Sequence, residues 1–193
     1  SDWSSDVCSS DLMADKVDVT RLKREVAEMQ AVVNGFPELK SLNGRLAEMG
    51  VPVVFVAIEK NRKGHVEEIA KTLLNEPAFS QVKVLIFLEH TMDIQDVADA
   101  VWRFSNNVDP RRDHFDVPAK AMGEVNHVAF DGTRKMKEFD GFDRDWPNIL
   151  AADKDTIRRV DEIWPKLGLG KMIPSPSEKY ANQLYEGGAV AKP

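Results

Sequence analysis

The stretch VKVLIFLEHTMDIQDVADAVWRFSNNVDPRRD, residues 82–113, decides the fold of this chain. Its opening run, Val82 to Leu88, is almost wholly apolar and rich in β-branched residues, which is typical of a strand covered on both faces in a parallel sheet. Asp93 is predicted to cap the helix that follows, with Asp96 in its first turn. An apolar stripe at helical spacing then comprises Ile94, Val97, Ala98, Val101 and Trp102. A strand, a short loop and a packed helix form half of a βαβ unit, so the predicted fold class is α/β.

Composition indicates one globular domain with tails. The chain has 193 residues, of which 42% are hydrophobic and 30% charged, with a formal net charge of −6. No apolar run is long enough for a membrane span, and no secretory signal precedes the first helix. A mildly acidic chain gives no indication of nucleic-acid binding, and the predicted location is the cytoplasm.

The first twelve residues, SDWSSDVCSSDL, resemble the translation of a sequencing-library adapter and are predicted to be disordered. The alternative is a native leader rich in serine and aspartate. Without residues 1–12 the acidic residues fall from 32 to 29 (32 − 3) against 26 basic ones, a net charge of −3. The single cysteine, Cys8, also lies here, so the rest of the chain offers no disulfide or thiolate site. Met13 is then either an internal residue of a longer protein or a start.

The remaining elements follow from periodicity and breakers. Helices are predicted at Thr20 to Val33, at His65 to Asn75, from an Asp153 or Asp155 cap to Trp164, and at Glu178 to Tyr185. Strands are predicted at Leu39 to Leu42, Val51 to Ile58, His114 to Val117 and His127 to Phe130. Residues 44–50 and 136–152 are predicted to be loops. The helix ending at Trp164 is predicted to turn four apolar side chains inward, namely Ile157, Val160, Ile163 and Trp164.

Two short motifs could carry chemistry. VDPRRD, residues 108–113, favours a helix stop in which Asp109 bonds the turn and an arginine forks onto a carboxylate such as Asp113; a partner's phosphate is the alternative. DGTRK, residues 131–135, follows a predicted strand, where α/β sheets place ligands. A backbone turn at Gly132 beside Thr133, Arg134 and Lys135 would suit an anionic group, with a purely structural turn as the alternative.

Motifs of other enzyme classes are absent from the sequence. There is no Walker loop, GxGxxG, HExxH, GxSxG or CxxC. The four histidines, His65, His90, His114 and His127, show no i, i+4 pairing, so no metal ligands are predicted.

Six strings in order resemble the C-terminal region of the UbiD family of carboxy-lyases. They are KGHVEEIA (63–70), KVLIFLEHTMDIQDVADAVW (83–102), NNVDPRRD (106–113), FDGTRK (130–135), FDRDWP (142–147) and DEIWPKLGL (161–169). The resemblance implies a decarboxylase of aromatic or α,β-unsaturated acids, including quinone precursors of the 4-hydroxybenzoate type. The implied cofactor is prenylated flavin mononucleotide (prFMN), held with a divalent metal and potassium.

The resemblance also implies a domain plan. Residues 13–60 would be a linker helix and a remnant of a flavin-reductase-like split barrel. Residues 61–170 would form the C-terminal α/β domain, with a mostly parallel sheet flanked by helices, and residues 171–193 a tail. The family uses this domain for homo-oligomer contacts; here the predicted docking surfaces are the helix at Lys154 to Trp164 and the tail with Tyr180 and Tyr185.

The departures from the family concern its active centre. The catalytic glutamate motif, EGPFGE-like in the family, has no match in residues 13–193, so no catalytic residue is predicted. Where many relatives have a lysine that reaches the cofactor phosphate, this chain has His127. The resemblance therefore leaves His127, Thr133, Arg134 and Lys135 as candidate cofactor contacts, and the chain alone is expected to bind no flavin and to be inactive.

Three hypotheses follow. The first is the C-terminal portion of a UbiD-like decarboxylase. The second is a stand-alone, non-catalytic α/β subunit or interaction domain that starts at Met13. The third is an unrelated nucleotide-binding α/β domain, which the lack of a glycine-rich phosphate loop disfavours.

Overall fold

A computed structural model describes residues 17–119 and 125–185 of the chain. The prediction for residues 1–12 falls outside these ranges. The chain divides into two compact units, the first ending at Gly141 and the second beginning at Phe142.

A five-stranded sheet forms the centre of the first unit. Its strands are β1 (Leu39–Asn43), β2 (Val53–Ile58), β3 (Val84–Glu89), β4 (His114–Val117) and β5 (His127–Asp131). Their order across the sheet is β1-β2-β3-β5-β4. The central three strands are parallel, whereas β1 and β4 run antiparallel at the two edges. The predicted α/β class with a parallel sheet core and flanking helices is confirmed.

The middle strand β3 is buried on both faces, as its apolar run predicted. Leu85 and Phe87 join one apolar cluster, while Ile86 and Leu88 join the cluster on the opposite face. This split follows from the two-residue period of a strand, which sends successive side chains to opposite faces. Neighbouring β2 divides in the same way, with Val54 and Val56 on one side and Phe55 on the other.

Helices cover the sheet in the first unit. They are α1 (Val19–Asn34), α2 (Arg45–Glu48), α3 (His65–Leu73), α4 (Val97–Asn107) and α5 (Lys137–Asp140). A 3-10 turn at Pro77–Phe79 precedes β3. Both loop predictions are therefore wrong in part, because residues 44–50 contain α2 and residues 136–152 contain α5. Each of these helices is a single turn, too short to show the periodicity that identifies a helix in a sequence.

Helix α4 differs from its prediction in both start and orientation. Asp96, and not Asp93, is its N-cap, and the Asp96 carboxylate accepts hydrogen bonds from the backbone N–H groups of Ala98 and Asp99. Val101 and Trp102 were predicted to face inward, yet they are 45% and 53% exposed. The buried face instead consists of Ala100, Arg103 and Asn107.

The reason for this orientation is contact with distant parts of the chain. Next to that face, Phe104 packs edge-on against Phe130 of β5, with ring centroids 5.3 Å apart. Asn107 Nδ2 donates a hydrogen bond of 2.8 Å to the carbonyl of Gly132. A stripe of hydrophobicity could not anticipate that two polar residues would lie on the buried face.

The second unit contains α6 (Lys154–Ile163) and 3-10 helices at Trp164–Lys166 and Pro176–Gln183. Asp153 caps α6 by accepting the N–H of Thr156, as one of the two predicted caps. The predicted inward burial of α6 is wrong, since none of Ile157, Val160, Ile163 and Trp164 is buried. The helix predicted at the tail is observed as the second of these 3-10 helices.

The predicted boundary at residue 60 falls between β2 and β3, which pair in parallel within one sheet. A barrel origin for residues 13–60 stays a prediction.

Candidate functional site

A network of charged side chains lies where the parallel strands β2 and β5 end. We call it the carboxyl-edge cluster and define it as Lys60, Arg112, Asp113, Asp131, Lys135 and Asp140. These six residues line a cavity of about 150 Å³ together with the start of α3. Ligands of open α/β sheets bind at this edge, which makes the cluster the first candidate site.

Lys135 is the most deeply placed cation, with a side chain only 2% exposed. Its Nζ donates hydrogen bonds to the carbonyls of Asp131 (2.6 Å) and Thr133 (3.0 Å). The carboxylates of Asp131 and Asp113 lie 3.2 and 3.5 Å from the same atom. Burial lowers the pKa of Lys135, and the two carboxylates partly oppose that effect.

The VDPRRD motif forms the salt-bridged helix stop that its sequence favoured. The guanidinium of Arg112 forks onto Asp113, with both nitrogen–oxygen distances 2.7 Å. Asp113 also accepts the N–H of Asp109 at 2.8 Å, and Asp109 Oδ1 accepts the N–H groups of Arg111 and Arg112. Burial acts to raise the pKa of Asp113, yet the hydrogen bonds from Arg112 and Asp109 and the nearby charge of Lys135 hold it below its usual value.

Lys60 closes the cluster from the end of β2. Its Nζ lies 2.8 and 2.9 Å from the two carboxylate oxygens of Asp140, 3.0 Å from the carbonyl of Arg134 and 3.4 Å from Asp131 Oδ2. Sequence reasoning missed both Lys60 and Asp140. They are 80 positions apart, and no local pattern marks such a pair.

The DGTRK turn is folded back on its own carboxylate. Asp131 Oδ1 accepts hydrogen bonds from the backbone N–H and the hydroxyl of Thr133, at 2.9 and 2.5 Å. Gly132 donates its N–H to the carbonyl of Phe87, and a Cβ built on Gly132 would lie 2.9 Å from that oxygen. Close approach to β3 therefore explains the glycine. Arg134, 3.2 Å from Glu89, reaches the surface.

His127 lies at the opposite end of β5 from this turn. It is buried, and its Nδ1 lies 2.6 Å from the carbonyl of Val82. His127 and Asp131 are four positions apart along β5, a rise of about 13 Å. The structure thus brings Thr133, Arg134 and Lys135 together and sets His127 apart, while the cofactor role of all four stays a prediction.

A second polar pair borders the cavity at the start of α3. His65 is buried; its Nδ1 lies 3.3 Å from the backbone nitrogen of Asn61, and its Nε2 lies 3.3 Å from the Glu38 carboxylate. A hydrogen bond from its own backbone lowers the pKa of Glu38, and His65 adds to that effect.

The cluster pairs three cations with three carboxylates, so its positive and negative charges balance one another. Among the described residues, no group of three or more histidine, cysteine or acidic side chains could hold a metal ion. In the same part of the chain, every helix is too short or too polar to cross a bilayer. The arrangement is an ion-pair network in which the side chains of Lys60, Asp113 and Lys135 are buried and that of Arg112 reaches solvent.

Comparison with known proteins identifies the relatives of this fold. The family model of the 3-octaprenyl-4-hydroxybenzoate carboxy-lyase C-terminal domain matches residues 20–136, which is more than half of the chain. An uncharacterised protein of Aquifex aeolicus is 34% identical over 124 residues, which are 60% of this chain and 25% of that protein. One of Aeropyrum pernix is 27% identical over 150 residues, 69% of this chain and 31% of that protein. The chain thus matches only about a quarter to a third of these relatives' length.

Solved structures agree with this assignment at the level of the fold. The vanillic acid decarboxylase of Sedimentibacter hydroxybenzoicus in closed form superposes with a TM-score of 0.56 at 16% identity, covering 76% of this chain and 31% of that one. Its open form gives 0.53 at 15% identity, with 74% and 32% covered. The family match confirms the resemblance noted in the sequence: the protein belongs to the UbiD family of carboxy-lyases, through its C-terminal domain.

Proposed function

We propose that this chain is the C-terminal α/β domain of a decarboxylase that acts on an aromatic or α,β-unsaturated carboxylic acid, such as a quinone precursor of the 4-hydroxybenzoate type. The single observation that carries this proposal is the family match over residues 20–136. The proposed activity is that of the whole protein, because the chain matches only about a quarter to a third of its relatives' length.

In this proposal the domain is a scaffold without a catalytic group of its own. General acid–base catalysis needs a carboxyl within hydrogen-bond reach of the reacting atoms. The carboxylates of the carboxyl-edge cluster are instead committed to neighbouring cations: Asp113 to Arg112, and Asp140 to Lys60. Carboxylates paired in this way favour a structural role for the cluster over a catalytic one.

The family's prFMN, divalent metal and potassium are proposed for the whole protein and not for this chain alone. Among the described residues no metal-ligand group is present, and two of the candidate contacts, Lys135 and the Thr133 hydroxyl, donate to groups of the chain itself. Arg134 reaches the surface most among the three clustered candidates, so it is the proposed point of any cofactor contact.

The test compares two proteins under one assay. We expect the 193-residue chain, mixed with prFMN, to retain no flavin on gel filtration and to release no CO₂ from 4-hydroxybenzoate or cinnamate. The protein encoded by the complete genomic reading frame around residues 13–193 is expected to bind the cofactor and decarboxylate one of these acids. Turnover by the chain alone would contradict the scaffold role. A frame that starts at Met13 would support the stand-alone, non-catalytic subunit.

We also propose that the protein is a cytoplasmic homo-oligomer that assembles through its second unit. Exposed apolar side chains there, Leu169 and Ile173 among them, support an interface. Light scattering of the chain tests this, and a monomer at high concentration would contradict it.

A further inference from the structure

The second unit has no apolar core of its own among residues 142–185. Every buried hydrophobic residue of the described chain lies at or before Ala129. By contrast, eight of the thirteen large apolar side chains that are exposed in the described ranges lie after Gly141. Exposed apolar side chains gathered in one unit, with no apolar core beneath them, offer a surface that a partner can cover.

An open groove runs along α6 in this unit. Its cavity of about 650 Å³ lies between α6 and the 3-10 helix Pro176–Gln183. Ala152, Ile157 and Ala181 contribute apolar surface. Three acidic side chains, those of Asp161, Glu162 and Glu178, line it against two basic ones at the N-terminal half of α6. The groove is therefore apolar inside with a slightly acidic lining.

The segment LGLGKMI, residues 167–173, has the complementary character. Leu169 and Ile173 are 63% and 65% exposed, and Leu167 and Met172 are about half exposed. Lys166 and Lys171 give the segment and its edge two positive charges and no negative one. Gly168 and Gly170 have positive φ angles of 66° and 91°, which bend the backbone in a way that other residues adopt at a cost, and the Gly170 carbonyl accepts a hydrogen bond from Trp164 Nε1 at 3.2 Å.

We propose that residues 167–173 of one copy of the chain fill the α6 groove of a second copy. The apolar side chains enter the groove, and Lys166 and Lys171 lie beside its acidic lining. Because groove and segment belong to the same unit, two copies related by a two-fold axis exchange both contacts and leave neither open. This inference rests on the oligomer named under the proposed function and specifies its surface and its partner.

Crosslinking between differently marked copies is the first test. In a Cys8→Ser background, one preparation carries Ile173→Cys and a second carries Ala181→Cys, and a short bismaleimide is added to their mixture. We expect the mixture to give several times more covalent dimer than either preparation gives alone, because only the mixture contains both cysteines. Equal yields in all three samples would overturn the proposal. Because the two cysteines start on separate chains, a contact within one copy cannot give this result.

A substitution in the segment gives an independent measurement. Ile173→Asp is expected to raise the dissociation constant of the dimer at least tenfold in sedimentation velocity, since a carboxylate would have to enter an apolar groove with an acidic lining. Met49→Asp is the matched control, because Met49 is equally exposed but lies in the first unit. It is expected to leave the dimer unchanged, and circular dichroism checks that both variants fold.

The outcomes separate this inference from the proposed function. A dimer that resists Ile173→Asp and gives no heterodimer crosslink would overturn the groove interface while leaving the oligomer and the decarboxylase domain intact. A chain that stays monomeric at all concentrations would overturn both the interface and the oligomer. Neither outcome bears on whether the complete reading frame encodes a decarboxylase.

Discussion

Asp113 joins two of the three cations of the carboxyl-edge cluster, Arg112 and Lys135. Its buried carboxylate holds the Arg112 fork, accepts the N–H of Asp109 and lies 3.5 Å from the Nζ of Lys135. One side chain therefore ties the end of α4, the start of β4 and the turn after β5. Its sequence context, a proline turn with two arginines, was enough to predict the fork but not the contact with Lys135.

Asp113→Asn is expected to destabilise the protein by about 3 kcal/mol, because it leaves buried Lys135 with one carboxylate fewer. The folded-state pKa of Asp113 is depressed, so its stabilisation is present above the ordinary value of 3.8 and is lost as pH falls through the lower folded value. Urea unfolding at pH 7 and pH 3 measures both effects, and the gap between wild type and variant should narrow in acid. Asp116→Asn, at an exposed carboxylate on β4 three positions further along the chain, is the control and should change little.

Gly132 shows how tight packing, and not ligand access, can demand a glycine. Gly132→Ala is expected to cost about 2 kcal/mol, since the new methyl group would meet the Phe87 carbonyl and the Leu88 side chain at 2.9 Å. Gly35→Ala serves as the comparison, because Gly35 has a helical φ of −75° and the nearest atom to its new Cβ, the Val32 carbonyl oxygen, would be 3.2 Å away. Thermal unfolding of both variants gives the result, and equal stabilities would contradict the packing explanation.

At the scale of elements, helix α4 shows where hydrophobic periodicity succeeds and fails. It predicted that a helix follows β3 and packs against the sheet, and this is observed. It misplaced the start by several residues and turned the wrong face inward. Ile94 is buried as predicted, yet it lies in the turn before the helix. The apolar stripe that was counted from Ile94 therefore predicted the wrong buried face for α4.

The start of α4 can be tested by its two candidate caps. Asp96→Ala is expected to cost about 1 kcal/mol, because Asp96 accepts two of the first backbone N–H groups of the helix. Asp93→Ala should cost less than about 0.5 kcal/mol, since Asp93 accepts only the N–H of Gln95 in the preceding turn. Chemical denaturation ranks the two variants. A larger loss for Asp93→Ala would mean that the helix starts where the sequence pattern placed it.

At the scale of the whole molecule, the two units differ in how they are held. The first has a sheet with apolar clusters on both faces, whereas the second, over its described residues, relies on caps, turns and surface contacts. Local stability should follow this difference, because opening is cheapest where few apolar side chains are buried.

Limited proteolysis checks this expectation. Brief digestion with trypsin in dilute solution should cut first at basic residues of the second unit, such as Arg158 and Lys171, while the strands and helices up to Asp131 stay intact. Mass spectrometry of the early fragments identifies the sites. First cuts inside α1, α3 or α4 would contradict a stability difference between the units.

The sequence by itself determined the elements whose signals are local: the buried run of β3, the VDPRRD turn, the cap of α6 to within Asp153 or Asp155, and the family resemblance, four of whose six strings lie within the matched residues 20–136. These depend on residues within a turn or two of each other, and periodicity or a motif records them. The tertiary structure alone decided that Lys60 meets Asp140, that His127 stands a strand length from the DGTRK turn, and that α4 buries Arg103 and Asn107. Each of these depends on which distant part of the chain packs against a residue. The residues next to it in sequence carry no record of that contact, so only the folded structure shows it.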